Sequence, residues 1–285
     1  MVGFKDLNLQ PYSDKNLAKI ETELLQQALF RCHGLDFRDY SFPSFRRRVR
    51  RHLVEEGIPS ISALQESVLH DGGALRRFME YVSLGRKAMF RDPVFFTALR
   101  ERVFPLLKEK PMIRIWLAEC ATGEEVFSLA ILLHEEGLLE KSRLYATDHN
   151  QRFLASAGAG IIPLNGMRES TEYYRLAGGK RPFSDYYTAA YGFALFASEL
   201  RENILWGRHD LTSGDSINTF DLIICRNVIV YFNKALKERV LKMFAESLED
   251  GGILGLGHRE TLRHCAVGDS FRDINTVQKL YIKEA

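Results

Sequence analysis

Residues 113–133 read IRIWLAECATGEEVFSLAILL, and this segment limits the possible folds more than any other. An apolar run typical of a buried strand ends in a turn of small residues, and an amphipathic helix begins at once. Gly123 allows a tight turn and close approach of the backbone, and the first helical turn offers unpaired N–H groups. The arrangement predicts a nucleotide-type pocket, although such turns also occur where a helix merely packs on a sheet.

Three glutamates set the chemistry of this turn: Glu119 at the end of the strand, and Glu124 and Glu125 after the glycine. A phosphate-binding loop needs Gly-Lys-Ser/Thr and positive charge, and this turn has neither. We therefore expect a ligand that is neutral or cationic near its reactive part.

The composition, 46% hydrophobic and 27% charged, is that of an ordinary globular protein. No apolar run approaches the roughly 18 residues of a membrane span, and the first residues lack a secretion-signal pattern. The four cysteines are far apart and form no CxxC pair, which argues against a zinc site and a disulfide framework. We expect a cytoplasmic protein with no metal site and no insertion into a membrane.

Two patterns divide the chain. Residues 15–85 carry apolar residues at helical spacing, which predicts a small domain of about four helices. From residue 113, strand-like and helix-like segments alternate, and most of the strands are continuously apolar, as in a parallel sheet buried on both faces. We expect an α/β protein with an all-helical N-terminal domain over residues 1–88 and a doubly wound, Rossmann-like domain over 89–285.

Smaller features sharpen this expectation. Ser44 is a candidate N-cap and Gly57 a stop signal for one helix of the first domain. Residues 161–206 break the alternation with an aromatic, Gly-rich stretch, which predicts an inserted small β-subdomain. Residues 233–252 read as one long helix that precedes a strand.

Asp148 ends the second predicted strand and is the next candidate site residue. A carboxylate there can accept hydrogen bonds from both ribose hydroxyls of an adenosine-like ligand. Asp is also a favoured helix N-cap, and a helix follows. The combination with the turn favours the ribose role, with Asp148 and Glu124 as competing or sharing candidates.

A third apolar strand, within DLIICRNVIVYF, ends abruptly in Cys225, Arg226 and Asn227. Ligands of open α/β sheets bind at the carboxyl ends of such strands. Asn227 can donate and accept hydrogen bonds, and Tyr231 either offers a hydroxyl to a substrate or packs in the core. Arg91, in MFRDPVFF, is either a structural ion-pair partner or an anion-binding arm.

Taken in chain order, these segments resemble the CheR-type chemotaxis protein methyltransferases. The matching pieces are MFRDPVFF, CATGEEVFSLAILL, YATD, FDLIICRNVIVYF, LEDGGILGLGHRE and the terminal QKLYI. The likeness covers nearly the whole chain, including the helical N-terminal part. It implies a methyltransferase domain that uses S-adenosylmethionine, leaves S-adenosylhomocysteine, and methylates glutamate side chains of chemoreceptors.

The resemblance also implies roles for single residues in cofactor binding. Glu124 and Asp148 would hold the adenosine part, Asp210 would lie near the adenine, and Asn227 would contact the methionine end. Arg91 would lie beside the methionine carboxylate or the target glutamate.

Catalysis and partner binding follow from the same resemblance. Tyr231 would lie by the transferred methyl group and, with Arg91, is the expected catalytic residue. The basic helix would meet the acidic methylation region of a receptor, and the insert over 161–206 would help to dock receptors. The arginines of this helix are Arg46, Arg47, Arg48, Arg50 and Arg51.

Three positions depart from the family pattern. Gly85 and Lys87 stand where the family usually has Asn and Thr, and Glu119 stands where it usually has Gly or Ala. The Glu119 carboxylate could repel the methionine carboxylate or attract the ammonium or sulfonium charge. We place Lys87 among the cofactor-binding residues and hypothesise that it pairs with Glu119.

The expected function is therefore S-adenosylmethionine-dependent protein-glutamate O-methylation in chemotaxis or a related signalling pathway. The alternative is a divergent member with lost or altered catalysis that acts as a cofactor sensor or an interaction module. A nucleic-acid partner is not expected, because the cluster of arginines is local and Glu55 and Glu56 follow it closely.

Overall fold

The computed structural model describes residues 14–83 and 88–284, which belong to two compact units divided after Ser83. Gly85 and Lys87 lie outside the described residues. Their expected roles, the pairing of Lys87 with Glu119 and the domain boundary at residue 88 therefore stay predictions.

The first unit is helical, as expected. Residues 14–83 contain the helices α1 (Asp14–His33), α2 (Phe42–Glu56), α3 (Ile61–His70) and α4 (Gly72–Ser83). Phe45, Val49 and His52 recur at helical spacing and turn one face of α2 inward, where the two apolar residues join the core of this unit. The arginines of α2 lie between these positions and are half-buried or exposed.

The ends of α2 test two predictions. The helix begins at Phe42, so the expectation that Ser44 is its N-cap is wrong. Pro43 explains the earlier start, because its fixed φ and missing N–H suit the first helical turn. Gly57 ends the helix in a left-handed conformation with φ 65°, as expected.

The second unit is built on strands. Residues 88–284 contain β1 (Ile113–Ala118), β2 (Ser142–Asp148), β3 (Ile161–Pro163), β4 (Tyr187–Ala190), β5 (Phe193–Phe196), β6 (Ile204–Arg208), β7 (Phe220–Cys225), β8 (Leu248–Leu256), β9 (Phe271–Asn275) and β10 (Leu280–Lys283). They form a main sheet in the order β6-β2-β1-β7-β8-β10-β9 and a small sheet in the order β3-β5-β4. The first five strands of the main sheet pair in parallel, while β10 runs antiparallel to both of its neighbours. The predicted fold class is confirmed.

Helices precede and connect these strands, as in a doubly wound sheet. They are α5 (Pro93–Ala98), α6 (Phe104–Leu107), α7 (Glu124–Glu135), α8 (Gln151–Gly158), α9 (Met167–Leu176), α10 (Ser198–Arg201) and α11 (Lys234–Glu246). A π-helical turn, Leu99–Val103, joins α5 to α6. None of the helices in the described residues combines the length and apolar character of a membrane span.

Two segments differ from the sequence pattern. The helix expected over 233–252 ends at Glu246, because Leu248 already pairs with Phe220 in the sheet. The predicted insert ends at residue 206, but Ile204–Arg208 pairs with β2 in the main sheet, whereas the small sheet uses residues 161–196. Pairing between distant segments outweighs local propensity in both places.

Glu135, at the end of α7, binds both α9 and the segment that follows it. Its side chain is 1% exposed and forms an ion pair with Arg100. It accepts hydrogen bonds from the hydroxyls of Tyr174 (2.5 Å) and Tyr186 (2.8 Å) and from the Lys180 N–H (2.8 Å). Burial acts to raise the pKa of Glu135, but these donors outweigh it and hold the pKa below its usual value.

We expect Glu135→Ala to lower the free energy of unfolding by about 3–5 kcal/mol, because it leaves the buried tyrosine hydroxyls without their acceptor and Arg100 without its more deeply buried carboxylate partner. Glu136→Ala is the matched control: Glu136 also pairs with Arg100 but is 27% exposed, so its loss should cost about 0–1 kcal/mol. Thermal and urea unfolding of both variants measure the difference. Equal losses in the two variants would contradict this assignment.

Candidate active site

Three strands of the main sheet end at one edge, and the strand order reverses there. β1 lies between β2 and β7, with Ala118 paired to Thr147 on one side and Leu117 to Ile224 on the other. The chain leaves β1 toward β2 and only later returns to the opposite side as β7. A ligand crevice forms at such a reversal of strand order, outside the carboxyl ends of the strands.

The turn after β1 holds its backbone in an unfavourable shape. Glu119, Ala121 and Gly123 all have positive φ (56°, 48° and 91°), and the first two carry side chains. Residues with side chains in this conformation cost about 1–3 kcal/mol each and occur mainly at functional sites. A Cβ atom at Gly123 would lie 3.0 Å from the Ala157 Cβ, so tight packing favours glycine here as well as the backbone conformation.

Asp148 ties the end of β2 to this turn. The side chain is 3% exposed, and its Oδ2 accepts a hydrogen bond of 2.8 Å from the Ala121 N–H. Its Oδ1 accepts one of 2.8 Å from the Asn150 N–H. Asn150 itself caps α8 through the Arg152 N–H, so the alternative that Asp148 is the N-cap is wrong.

Glu119 pairs with His149, the residue after Asp148. The His149 Nδ1 lies 2.7 Å from the Glu119 carboxylate and 3.7 Å from the Asp148 Oδ1. Burial and the Glu119 charge raise the pKa of Asp148 to about 7. Burial acts to lower the pKa of His149, but the neighbouring carboxylates, Glu119 first, raise it to about 10.

The same three side chains offer ligand atoms that lie within 4.8 Å of one another. The expectation that the protein has no metal site rested on cysteine spacing alone, and it stays an expectation.

The remaining residues expected near the adenosine also lie at this edge. The Thr122 hydroxyl donates a hydrogen bond of 2.6 Å to the Glu124 carboxylate inside the turn. Asp210 follows β6, accepts hydrogen bonds from the N–H and hydroxyl of Thr212, and acts on the charge of His149. Glu124, Asp148 and Asp210 thus lie at the end of the sheet that holds β1, β2 and β6. Their contacts with a cofactor stay predictions.

Arg226 organises the opposite side of β1, and the sequence reasoning assigned it no role. Its side chain is 3% exposed and its guanidinium donates to Glu125 (2.5 Å) and Asp92 (2.6 Å). It also donates to the carbonyl of Arg91 at 3.3 Å and lies 4.1 Å from the centre of the Phe95 ring. One buried guanidinium therefore fixes the loop that presents Arg91 relative to the start of α7.

Glu260 holds the loop after β7 in place, and the sequence did not predict a role for this residue either. Its buried carboxylate accepts hydrogen bonds from the N–H groups of Asn227 (3.0 Å), Val230 (3.0 Å) and Gly257 (2.6 Å). Burial raises the pKa of Glu260, and these hydrogen bonds oppose the rise. This support holds Asn227 at φ 61° and sets the short turn Ile229–Tyr231, in which Tyr231 is half-buried rather than part of the core.

Two family models match the chain. "CheR methyltransferase, SAM binding domain" matches residues 86–279, and "CheR methyltransferase, all-alpha domain" matches residues 20–83. This chain belongs to the CheR methyltransferase family. The cofactor of the family domain is S-adenosylmethionine, as the motifs predicted.

Similar proteins that are named as methyltransferases support the same family. A protein of Pseudomonas putida, "Putative methyltransferase Cher3", is 45% identical over 271 residues, which are 95% of this chain and 99% of that protein. A "Chemotaxis protein methyltransferase" of Listeria monocytogenes is 29% identical over 231 residues, 80% of this chain and 85% of that protein. The solved plantazolicin methyltransferase BpumL with S-adenosylhomocysteine has a TM-score of 0.37 at 11% identity, covering 74% of this chain and 61% of that chain. A likeness this distant does not indicate a function for this chain.

The donor set at the edge of the sheet fits S-adenosylmethionine. The acidic turn suits a cofactor with a sulfonium charge and no phosphate, and the buried Asp148 carboxylate suits a ribose.

We expect the affinity for S-adenosylhomocysteine to fall as the pH drops below about 7. The pKa of Asp148 is about 7, and only its ionised form accepts hydrogen bonds through both oxygens. Each pH unit below that value should weaken binding about tenfold, whereas the affinity should level off above it. Calorimetry between pH 5.5 and 8 measures the profile, with Asp148→Asn as a variant that should bind weakly and without this dependence. A flat profile in the wild type would contradict the assignment.

Proposed function

We propose that this protein is an S-adenosylmethionine-dependent protein-glutamate O-methyltransferase that modifies chemoreceptors in the cytoplasm. The observation that carries this proposal is that β1 separates two groups of side chains at the end of the main sheet. Carboxylates lie at the ends of β1 and β2, while Asn227, Tyr231 and the Arg91 loop are held on the β7 side. This division supports a cofactor site beside a site for an anionic side chain.

S-adenosylmethionine supplies a methyl group made electrophilic by the positive sulfur. A glutamate side chain is already ionised near pH 7, so the protein needs no strong general base. Its carboxylate oxygen forms the new bond to carbon as the bond from sulfur to carbon breaks, and no proton moves. The protein must therefore contribute mostly by proximity and orientation.

Arg91 and Tyr231 are the residues that we propose for this orientation. A guanidinium attracts the carboxylate, and a phenol hydroxyl can aim one of its oxygens. The Arg226 bond to the Arg91 carbonyl and the Glu260 support of the Tyr231 turn fix both loops before substrate binds. Preorganisation of this kind lowers the cost of assembling the site.

The partner is proposed to be an acidic helical region of a receptor. The outward-facing arginines of α2 supply positive charge, and the small sheet within 161–206 offers a further docking surface. Electrostatic attraction between such surfaces steers encounter and weakens with salt. The proposed arginines are Arg46, Arg47, Arg48, Arg50 and Arg51.

Methyl transfer to receptor fragments tests the function. We expect label from methyl-labelled S-adenosylmethionine to enter a chemoreceptor cytoplasmic fragment and to be released as methanol in mild alkali, because a methyl ester is labile there. Receptor variants with Gln at the acceptor glutamates are the control. Alkali-stable label would contradict O-methylation of glutamate.

We expect Tyr231→Phe and Asp148→Ala to fail in different ways. Tyr231→Phe should lower turnover about tenfold or more with cofactor affinity nearly unchanged, because it removes a group aimed at the reacting carboxylate. Asp148→Ala should first weaken cofactor binding, about tenfold or more. Calorimetry and labelled-methyl transfer separate the two effects, and an equal loss of binding in both variants would refute the division.

The Glu119 carboxylate supports one alternative, a divergent member that acts as a cofactor sensor or an interaction module. Titration calorimetry with S-adenosylmethionine and S-adenosylhomocysteine decides between them. Binding without methyl transfer to any receptor fragment would favour the sensor, and no binding of either compound would overturn the enzyme.

A further inference from the structure

Glu119 occupies a position that its backbone resists. With φ 56° it lies in the left-handed region that favours glycine, yet it carries a carboxylate that is only 12% exposed. A buried carboxylate needs a cation and hydrogen-bond donors, since an unpaired one is costly. His149 meets that need at 2.7 Å.

His149 serves two carboxylates at once. It lies between Glu119 at 2.7 Å and Asp148 at 3.7 Å, and Asp210 adds to the negative charge around it. The carboxylates raise the pKa of His149, so the imidazole stays protonated at neutral pH. A single positive charge therefore lets two carboxylates lie side by side at the end of the sheet.

The direction of the Glu119 side chain follows from its partner. His149 follows β2, and β2 and β7 lie on opposite sides of β1. The Glu119 carboxylate is thus drawn toward Asp148 and away from Asn227, which follows β7. This geometry places Glu119 on the adenosine side of the proposed site rather than beside the methionine carboxylate.

We propose that Glu119 and His149 act as one unit that binds the cofactor ribose together with Asp148. The inference rests on the proposed function, and it adds two residues to the binding site. Asp148 is fixed by two backbone N–H groups, from Ala121 and Asn150. A vicinal diol offers two O–H donors, and the neighbouring carboxylates of Asp148 and Glu119 each accept one, while His149 keeps Glu119 in place.

A double-mutant cycle on cofactor affinity tests the unit. Calorimetry with S-adenosylhomocysteine compares the wild-type chain with Glu119→Gln, His149→Leu and the double variant. His149→Leu alone should weaken binding at least about fivefold, because it leaves two adjacent carboxylates without a cation. The double variant should lie within about threefold of Glu119→Gln, since contacting pairs commonly couple by about 2- to 150-fold in an equilibrium constant.

A second probe locates the effect. Adenosine lacks the homocysteine part, so loss at the ribose should weaken adenosine and S-adenosylhomocysteine by the same factor. A loss confined to S-adenosylhomocysteine would overturn the ribose assignment, and additive single effects would overturn the unit itself. If the wild type binds neither probe, the proposed function fails and this inference with it; binding with additive effects defeats the inference alone.

Two further variants guard against trivial loss of structure. His149→Gln keeps an N–H donor toward Glu119 without the charge, and its affinity should lie between those of the wild type and His149→Leu. His70→Leu removes an exposed histidine of the first unit and should leave the affinity unchanged. Thermal unfolding of each variant confirms that it is folded at the assay temperature, and His149→Gln replaces His149→Leu in the cycle if the latter is not.

Discussion

The hydrogen bond from the Ala121 N–H to the Asp148 carboxylate is the contact on which the candidate site depends. It joins the strained turn after β1 to the end of β2 at 2.8 Å. The parallel register of β1 and β2 brings the two groups together, and the bond then holds a backbone shape that Ala121 would not adopt by itself. Strand pairing thus brings the turn and Asp148 together, and the buried carboxylate of Asp148 holds the turn in the shape of the candidate binding site.

Two buried charged side chains also hold loops in place on the other side of β1. The Arg226 guanidinium collects two carboxylates and the carbonyl of Arg91, and the Glu260 carboxylate collects three backbone N–H groups. Each group has several partners, which a charge removed from water requires. The loops that carry Arg91, Asn227 and Tyr231 are therefore held by electrostatics rather than by apolar packing alone.

The sequence alone predicted much of this architecture, and the reasons are physical. β1 and β7 are mostly apolar because both faces of a parallel sheet are covered, so their ends, and Asn227 after β7, could be located. β2 is less apolar, and Asp148 was located from the alternation of strands and helices. The residues at 247–252 suit a helix or a strand, and only pairing with β7 decides between them.

The contacts between charged side chains were harder to predict from the sequence. Arg226 meets Asp92 and Glu125 across 134 and 101 residues of chain, and no local pattern encodes such a meeting. The sequence predicts Lys87 as the partner of Glu119 because of its opposite charge, and that pairing lies outside the described residues. The contact between Glu119 and His149 was not predicted. A histidine beside a candidate ribose ligand gave no such signal, because its charge depends on its surroundings.

The bond between Glu119 and His149 also constrains the ancestry of this chain. A carboxylate at position 119 without the imidazole would lie beside Asp148 with no cation, whereas an imidazole at 149 without Glu119 would still have Asp148 at 3.7 Å. The first intermediate carries an uncompensated charge and the second does not. A lineage that passed from a small residue at 119 to this pair would therefore have acquired the histidine first, and the histidine could no longer be exchanged freely once both were present.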